Sequence, residues 1–256
     1  MSNKNYVGFY HVLRREIKRF WNIKRQTIFG PVLETYLYIS VFGAALGSRI
    51  NTLDGHNYIN FIIPGLLLMA MVMNAFSNNA SSLLQQKMQH AIDDQLASPV
   101  SNTALLTAYT LGGLIRASII TLTTFITAAL LVDLPVAHPF LFVLSLFVCG
   151  LFFASLGVLI GLRAQVFDNL SFYQTFIIQP LVFLGGIFYS ASLLSEPFHT
   201  LTHFNPMFYM INTVRYGMLG SSDVNPWLSL PIIAAATLLL ISVNMYLFRK
   251  GYRLRN

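Results

Sequence analysis

Six apolar runs punctuate this sequence, near residues 28–48, 59–82, 103–132, 139–162, 170–191 and 227–248. A helix needs about 20 apolar residues to cross the hydrocarbon core of a bilayer. The pattern therefore predicts an all-α, polytopic membrane protein with six transmembrane helices. The connections are short except for two. One is a polar island, residues 85–99 (QQKMQHAIDDQLASP), and the other runs from Ser192 to Pro226. Composition agrees, with 55% of the 256 residues hydrophobic and only 10% charged, against roughly 25% charged in soluble domains. No internal repeat, low-complexity segment or linker is visible, so 1–256 reads as one transmembrane domain.

Charge orients the runs. Lys4, Arg14, Arg15, Lys18, Arg19, Lys24 and Arg25 precede the first run, Lys87 lies in the island, and Arg163 follows the fourth run. Arg249, Lys250, Arg253 and Arg255 follow the last, which makes thirteen on one side against Arg49 and Arg215 on the other. Cytoplasmic loops carry the excess of Lys and Arg, so both termini and the island are expected in the cytoplasm. The net charge of +7 gathers at the termini, where an anionic membrane surface is the natural partner; no nucleic-acid partner is implied. No short apolar core with a small-residue cleavage site opens the chain, so a cleavable signal peptide is not expected.

Before the first run, Tyr6, Tyr10, Leu13, Ile17, Phe20 and Trp21 recur at helical spacing, with Arg14, Arg15, Lys18 and Arg19 elsewhere on the wheel. This predicts an amphipathic interfacial helix over 1–26. A topogenic anchor and an elbow that touches a cytoplasmic partner both fit. In the island, Leu84, Met88, Ala91, Ile92 and Leu96 form a helical stripe, while Lys87, His90, Asp93, Asp94 and Gln95 point elsewhere. Pro99 ends the helix and pushes Ser98 into extended geometry. An interfacial loop that seals the bundle and a docking surface both match that pattern. The 192–226 segment is too polar for a seventh span and predicts one or two short helices re-entering the outer leaflet.

Polar residues inside the runs are functional candidates by default. Glu34 and Arg116 fall at matching depths near the inner leaflet, and either pair or snorkel separately. Asn74 and Asn78, one turn apart, and Gln174 and Gln179, beside Pro180, either line a pathway or bond neighbouring helices. Pro180 is expected to kink the fifth run. Gly43/Gly47 and Gly157/Gly161 have the spacing of close helix contacts. Cys149, a lone cysteine, reads as a packing residue. His199 and His203 are four apart without an acidic cluster, so no metal site is expected. Two N-x-S triplets, at Asn79 and Asn169, fall on the cytoplasmic side.

The stretch Ile92-Asp93-Asp94-Gln95-Leu96-Ala97-Ser98-Pro99-Val100 resembles the cytoplasmic coupling segment of the ABC-2 type transporter permease family. Gln179-Pro180-Leu181, Gly185-Gly186-Ile187-Phe188-Tyr189-Ser190, Asn205-Pro206 and Arg215-Tyr216 are similar to the family's fifth span and re-entrant region. Phe61, Pro64 and Gly65 resemble the start of its second span. The likeness covers essentially the whole chain and is greatest to small bacterial inner-membrane members. It departs at Asp93-Asp94, where many relatives carry Glu, and at Gln95, which replaces a Leu.

The resemblance implies a homodimer in the bacterial cytoplasmic membrane, carrying two copies of a separate ABC-type ATPase subunit. It implies a coupling helix at 84–99, with Lys87, Met88, Ala91, Ile92, Asp93, Asp94, Leu96, Ser98 and Pro99 meeting that subunit. It implies a re-entrant gate of Phe188, Tyr189, Asn205, Pro206, Arg215 and Tyr216. No phosphate-binding loop is present, so this chain is expected to be no enzyme and to hold no cofactor; ATP and Mg would belong to the partner. The expected function is outward movement of an amphiphilic, lipid-like, glycan or drug-like substrate. A proton-coupled secondary transporter would need titratable groups along the pathway, and Glu34 is the one acid well inside a run. A membrane scaffold, or an intramembrane enzyme with a nucleophile or metal constellation, is the other alternative.

Overall fold

The computed structural model describes residues 3–45, 52, 53 and 55–252; Gly47, Arg49, Arg253, Arg255 and the end of the first apolar run lie outside them. The chain opens with α1 (Asn3–Asn22) and α2 (Lys24–Ala45), separated by Ile23 alone. A two-residue antiparallel hairpin, β1 (Thr52–Leu53) with β2 (His56–Asn57), leads to α3 (Tyr58–Met88). Asn57 caps α3 by accepting from the Ile59 amide, which satisfies one of the unpaired donors of the first turn. Then come α4 (Ala91–Ala97), α5 (Asn102–Leu131) and α6 (Pro139–Arg163).

Helix α3 is central and packs on both α5 and α6. Phe61, Leu67, Val72, Phe76 and Leu83 are fully buried along it. At 1.5 Å per residue its 31 residues span about 46 Å, more than the ~30 Å hydrocarbon core. One end must therefore stand clear of the apolar layer. Gly157 and Gly161 let α6 approach closely: a Cβ would lie 2.5 Å from the Phe76 carbonyl oxygen at Gly157 and 2.9 Å from that of Ala80 at Gly161. Large apolar side chains left outward on α5, α6 and α11 (Pro226–Lys250), such as Leu130, Phe140 and Leu239, suit lipid.

Among the described residues, four helices are long and apolar enough to cross a membrane: α3, α5, α6 and α11. The other two expected spans take a different form. The first lies in α2, which carries Thr27, Pro31, Glu34 and Thr35 within its 22 residues. The fifth is a helical stretch of α7 (Phe167–Phe172), a π-helical segment (Tyr173–Ile178) and α8 (Gln179–Phe183). It ends at 183 rather than 191, because the chain turns at Gly185 and Gly186, the latter at φ +88, where glycine alone avoids a Cβ clash. Pro180 does not simply kink an α-helix; it follows the π-helical segment, where the missing N–H is absorbed by a change of register.

Beyond that turn, a 3-10 turn (Ala191–Leu193), α9 (Phe198–His203) and α10 (Pro206–Leu219) fill the long polar connection. Helix α10 is largely buried against α6 and α3. The Ala137 and His138 amides donate to the Met218 and Gly217 carbonyls and fasten its end to the α5–α6 loop.

Gly157→Val should lower thermal stability by about 1–3 kcal/mol, because the added methyls force α3 and α6 apart. Gly30→Ala, whose Cβ would meet nothing within 4 Å, should leave stability unchanged or slightly higher. Melting of the detergent-purified variants compares the two.

Candidate functional site

The polar island does not form one helix. Helix α3 runs on to Met88, and His90 then adopts a left-handed backbone at φ 55 before α4 begins. Just before the break Lys87 turns inward: it is buried, and its Nζ donates to the carbonyls of Gly161 (3.3 Å), Leu162 (2.6 Å) and Ala164 (2.8 Å). An ammonium there satisfies the unpaired carbonyls at the C-terminal end of α6 and meets the negative end of its dipole. Lys87 thus belongs to the protein's interior, not to a docking surface. Met88, expected on the buried stripe, is half exposed, since the stripe restarts after the turn.

In α4, Ile92 is buried, Ala91 and Leu96 are half-buried, and Asp94, Ala97 and Pro99 are exposed. Asp93 and Asp94 lie in the first turn, where the helix dipole favours anions, and Asp93 sits 3.5 Å from His90. Ser98 is extended at ψ 154 before Pro99, as a residue preceding proline must be, and its Oγ donates to the Gln95 carbonyl. Two residues past Pro99, the Ser101 amide donates to Asn5 Oδ1 on α1 at 3.0 Å.

Behind α4 lies a chain of polar contacts reaching into the bundle. Gln95 Nε2 donates to Gln86 Oε1 at 3.1 Å, and Gln95 Oε1 accepts from the Tyr109 hydroxyl at 2.9 Å. Arg15 donates to Gln86 (3.0 Å), to the Tyr109 oxygen (2.9 Å) and to Glu16 (3.0 Å). Glu16 is fully buried; it also accepts from Ser82 Oγ at 2.6 Å and lies 3.4 Å from Arg19 Nε. Arg19 donates to the backbone and side-chain oxygens of Asn78, at 2.9 and 2.8 Å. Asn78 accepts again from Arg116 at 3.2 Å and donates to Asn79, which donates to the Ala154 carbonyl of α6. Burial pulls the Arg19 guanidinium below its ordinary value against the raising effect of Glu16. Burial acts the same way on Arg15, but Tyr109 and Glu16 outweigh it and its value is raised.

This arrangement revises the sequence reading of α1. Its inward face carries Val12, Glu16 and Phe20, with Arg15 and Arg19 half-buried, whereas Tyr6, Tyr10 and Trp21 are exposed. Glu34 and Arg116 are not brought together: among the described residues Glu34 makes no ion pair, and Arg116 is held on Asn78. Asn78 itself is buried in the network.

Asn74, Gln174 and Gln179 do share a cavity, of about 200 Å³, with Glu34 and Ser77. The π-helical segment explains the pair of glutamines. The Gln179 amide bonds the Gln174 carbonyl, five residues back, so residues five apart stack on one side. In an α-helix they would diverge.

The residues expected to form a gate make specific packing and hydrogen-bond contacts. Arg215 is buried; it lies 3.8 Å over the Phe61 ring and donates to the Gly186 carbonyl at 2.5 Å and to Asn212 at 3.4 Å. A desolvated cation–π contact of this kind is worth about 2 kcal/mol. Asn205 caps α10 by accepting from the Met207 amide and donates to the Leu181 carbonyl, and Pro206 opens the helix. Phe188 stacks on Phe42 at 4.7 Å, Tyr189 donates to the Leu184 carbonyl, and Tyr216 stacks on His138 at 5.1 Å.

Sequence reasoning missed Glu16, Tyr109, Gln86 and Gln95 as one unit. The available signal was Glu16 itself, a single acid within a basic helix and three residues before Arg19. Glu16→Leu should cost about 3–5 kcal/mol, because Arg15 and Arg19 lose a buried counter-charge. Tyr109→Phe, which removes one hydroxyl from the same chain, should cost about 1–3 kcal/mol. The order of their melting shifts checks the network.

Residues 7–219, from α1 to the end of α10, match the model of a family described as ABC-2 type transporter. The chain is 38% identical over 226 residues, 88% of each chain, to the inner membrane transport permease YadH of Escherichia coli (strain K12). It is 25% identical over 250 residues, 95% of each chain, to Nodulation protein J of Rhizobium leguminosarum bv. viciae. To Nodulation protein J of Rhizobium meliloti (strain 1021) it is 27% identical over 220 residues, 84% of this chain and 82% of the relative. The buried central helices, the polar turn after α3 and the breadth of these matches lead to one assignment: the chain belongs to the ABC-2 type transporter family, as a membrane transport subunit.

Proposed function

We propose that this chain is the permease half of an ATP-driven exporter and that α4 is where a separate ATPase subunit grips it. The observation that carries the reading is the construction of the α3–α4 turn. Its outer side offers Met88, His90, Asp94, Ala97 and Pro99, while its inner side is tied through Lys87 and Gln95 to three longer helices. A partner that moves α4 therefore moves α3, α5 and α6 with it. Coupling of this kind needs contiguous, rigid contacts between the two sites.

Six spans complete the reading, with α2 and the 167–183 stretch crossing beside the four longest apolar helices. The excess of Lys and Arg supports a cytoplasmic face holding both termini and α4, and YadH, by name an inner membrane permease, supports the bacterial inner membrane. Helices α9 and α10 re-enter the outer leaflet. Two copies pair as a homodimer with two ATPase subunits, which bind ATP and its Mg. The apolar exterior and the small polar cavity suit an amphiphilic substrate carried outward.

Arg substitutions at the exposed positions Asp94 and Ala97 (D94R/A97R) test this. A docking loss of about 1.4 kcal/mol lowers association about tenfold. The double variant, co-expressed with the ATPase subunit, should be inserted and melt normally yet co-purify with about a tenth of the wild-type amount of ATPase. Undiminished association would place the grip elsewhere.

A further inference from the structure

The cavity between α2, α3 and the π-helical stretch has a distinctive charge. Among the described residues its one charged lining side chain is Glu34, which is also partly exposed on the outer side of α2, joined by Thr35, Asn74, Ser77, Gln174 and Gln179. An ionised carboxylate within a membrane span is costly without a partner, and among the described residues no ion pair supplies one. Arg116 does not serve, because its guanidinium is on Asn78 at 3.2 Å and it does not line the cavity. Asn74 adds to the negative character. Its Nδ2 donates to the Ala70 carbonyl at 2.9 Å, a group that can only accept, so the oxygen of the same amide is left as an acceptor. The glutamines supply further carbonyl oxygens. Leu66, Met69, Met73 and Val182 also line it and offer an apolar, adaptable surface to a hydrocarbon chain.

From this chemistry we propose that the cavity receives the protonated amino group of an amphiphilic substrate, with Glu34 as its counter-charge and Asn74, Gln174 and Gln179 accepting its N–H bonds. The proposal rests on the permease reading and narrows it to a substrate class. An anionic head would face Glu34 with no compensating cation. A neutral hydroxyl would leave the carboxylate without an opposite charge, whereas an ammonium answers both charge and acceptors.

The test uses the full-length chain in nanodiscs of zwitterionic lipid, without any ATPase subunit. Three dansyl probes share one alkyl chain and end in a primary ammonium, a hydroxyl or a carboxylate; binding is read by dansyl fluorescence against empty nanodiscs. The ammonium probe should bind about tenfold more tightly than the hydroxyl probe, equivalent to about 1.4 kcal/mol, and the carboxylate probe no better than to empty discs. Glu34→Gln should erase the ammonium preference. Gln174→Glu, which adds a second carboxylate, should enlarge it and serves as the arm that survives if the Glu34 variant fails to fold. Equal binding of ammonium and hydroxyl probes, an ammonium preference that persists in Glu34→Gln, or no gain in Gln174→Glu would each overturn the proposal. Such a failure with ATPase association intact refutes the cavity assignment alone; loss of ATPase association in the wild type would refute the wider reading alone.

Discussion

A carboxylate sealed from water, Glu16, holds the cytoplasmic half of the proposed machine together. It accepts from Arg15 and Ser82 and lies beside Arg19, so polar contacts tie α1 to α3 in addition to the apolar cluster that holds Val12 and Leu83. In a low-dielectric interior such a group is tolerated only when fully paired. That constraint fixes the rotation of α1 about its own axis. It thereby fixes Arg15 against Gln86 and Tyr109, which in turn hold Gln95 of α4. The short helix has few apolar anchors of its own, chiefly Ile92 with Leu96 at its edge. Its position follows from the polar chain behind it and from Lys87 locking the turn to α6.

The same chain gives direction to any push on α4. From Gln95 the contacts run through Arg15, Glu16, Arg19 and Asn78 to Arg116 on α5 and, by way of Asn79, to α6. Each link is a directional hydrogen bond or ion pair in a region where slack would leave a buried donor unmatched. Asn74, one turn from Asn78 on α3, borders the cavity. On the proposed reading, the contacts behind α4 lead to within one helical turn of the Glu34 pocket.

Much of this was legible in the sequence and some could not be. Apolar run length gave the long helices α3, α5, α6 and α11, and Pro99 gave the end of α4. The family likeness rested on residues 61–65, 92–100 and 179–216, and the family match includes all three stretches. The rotation of α1 was not legible, because periodicity identifies two faces without saying which one meets protein. In a soluble protein the aromatic face turns inward; here Tyr6, Tyr10 and Trp21 are exposed, Arg14 and Lys18 are exposed too, and the buried line runs between the two faces through Val12, Glu16 and Phe20. Beside a membrane, lipid accepts the apolar side and polar groups bond between helices. The turn at His90 was hidden for a related reason. Beside it Lys87 reaches carbonyls 74 to 77 residues away, contacts that no local pattern records. The π-helical segment hid the shared direction of Gln174 and Gln179, since an α-helical wheel puts them on different sides. Glu34 and Arg116 matched in depth, but depth carries no azimuth, and their side chains go to different neighbours.

The central claim is that α4 is the point of grip for an ATP-hydrolysing partner. Site-specific photocrosslinking in native membranes tests it most directly, with a photoreactive residue at exposed Ala97 and a control at Leu130, exposed at the far end of α5. The account predicts that the Ala97 probe crosslinks to a protein identified by mass spectrometry as an ATP-binding cassette subunit, in a yield that changes when ATP is added, while the Leu130 probe captures only lipid. Crosslinking to lipid alone from Ala97, or identical capture from both positions, would contradict it.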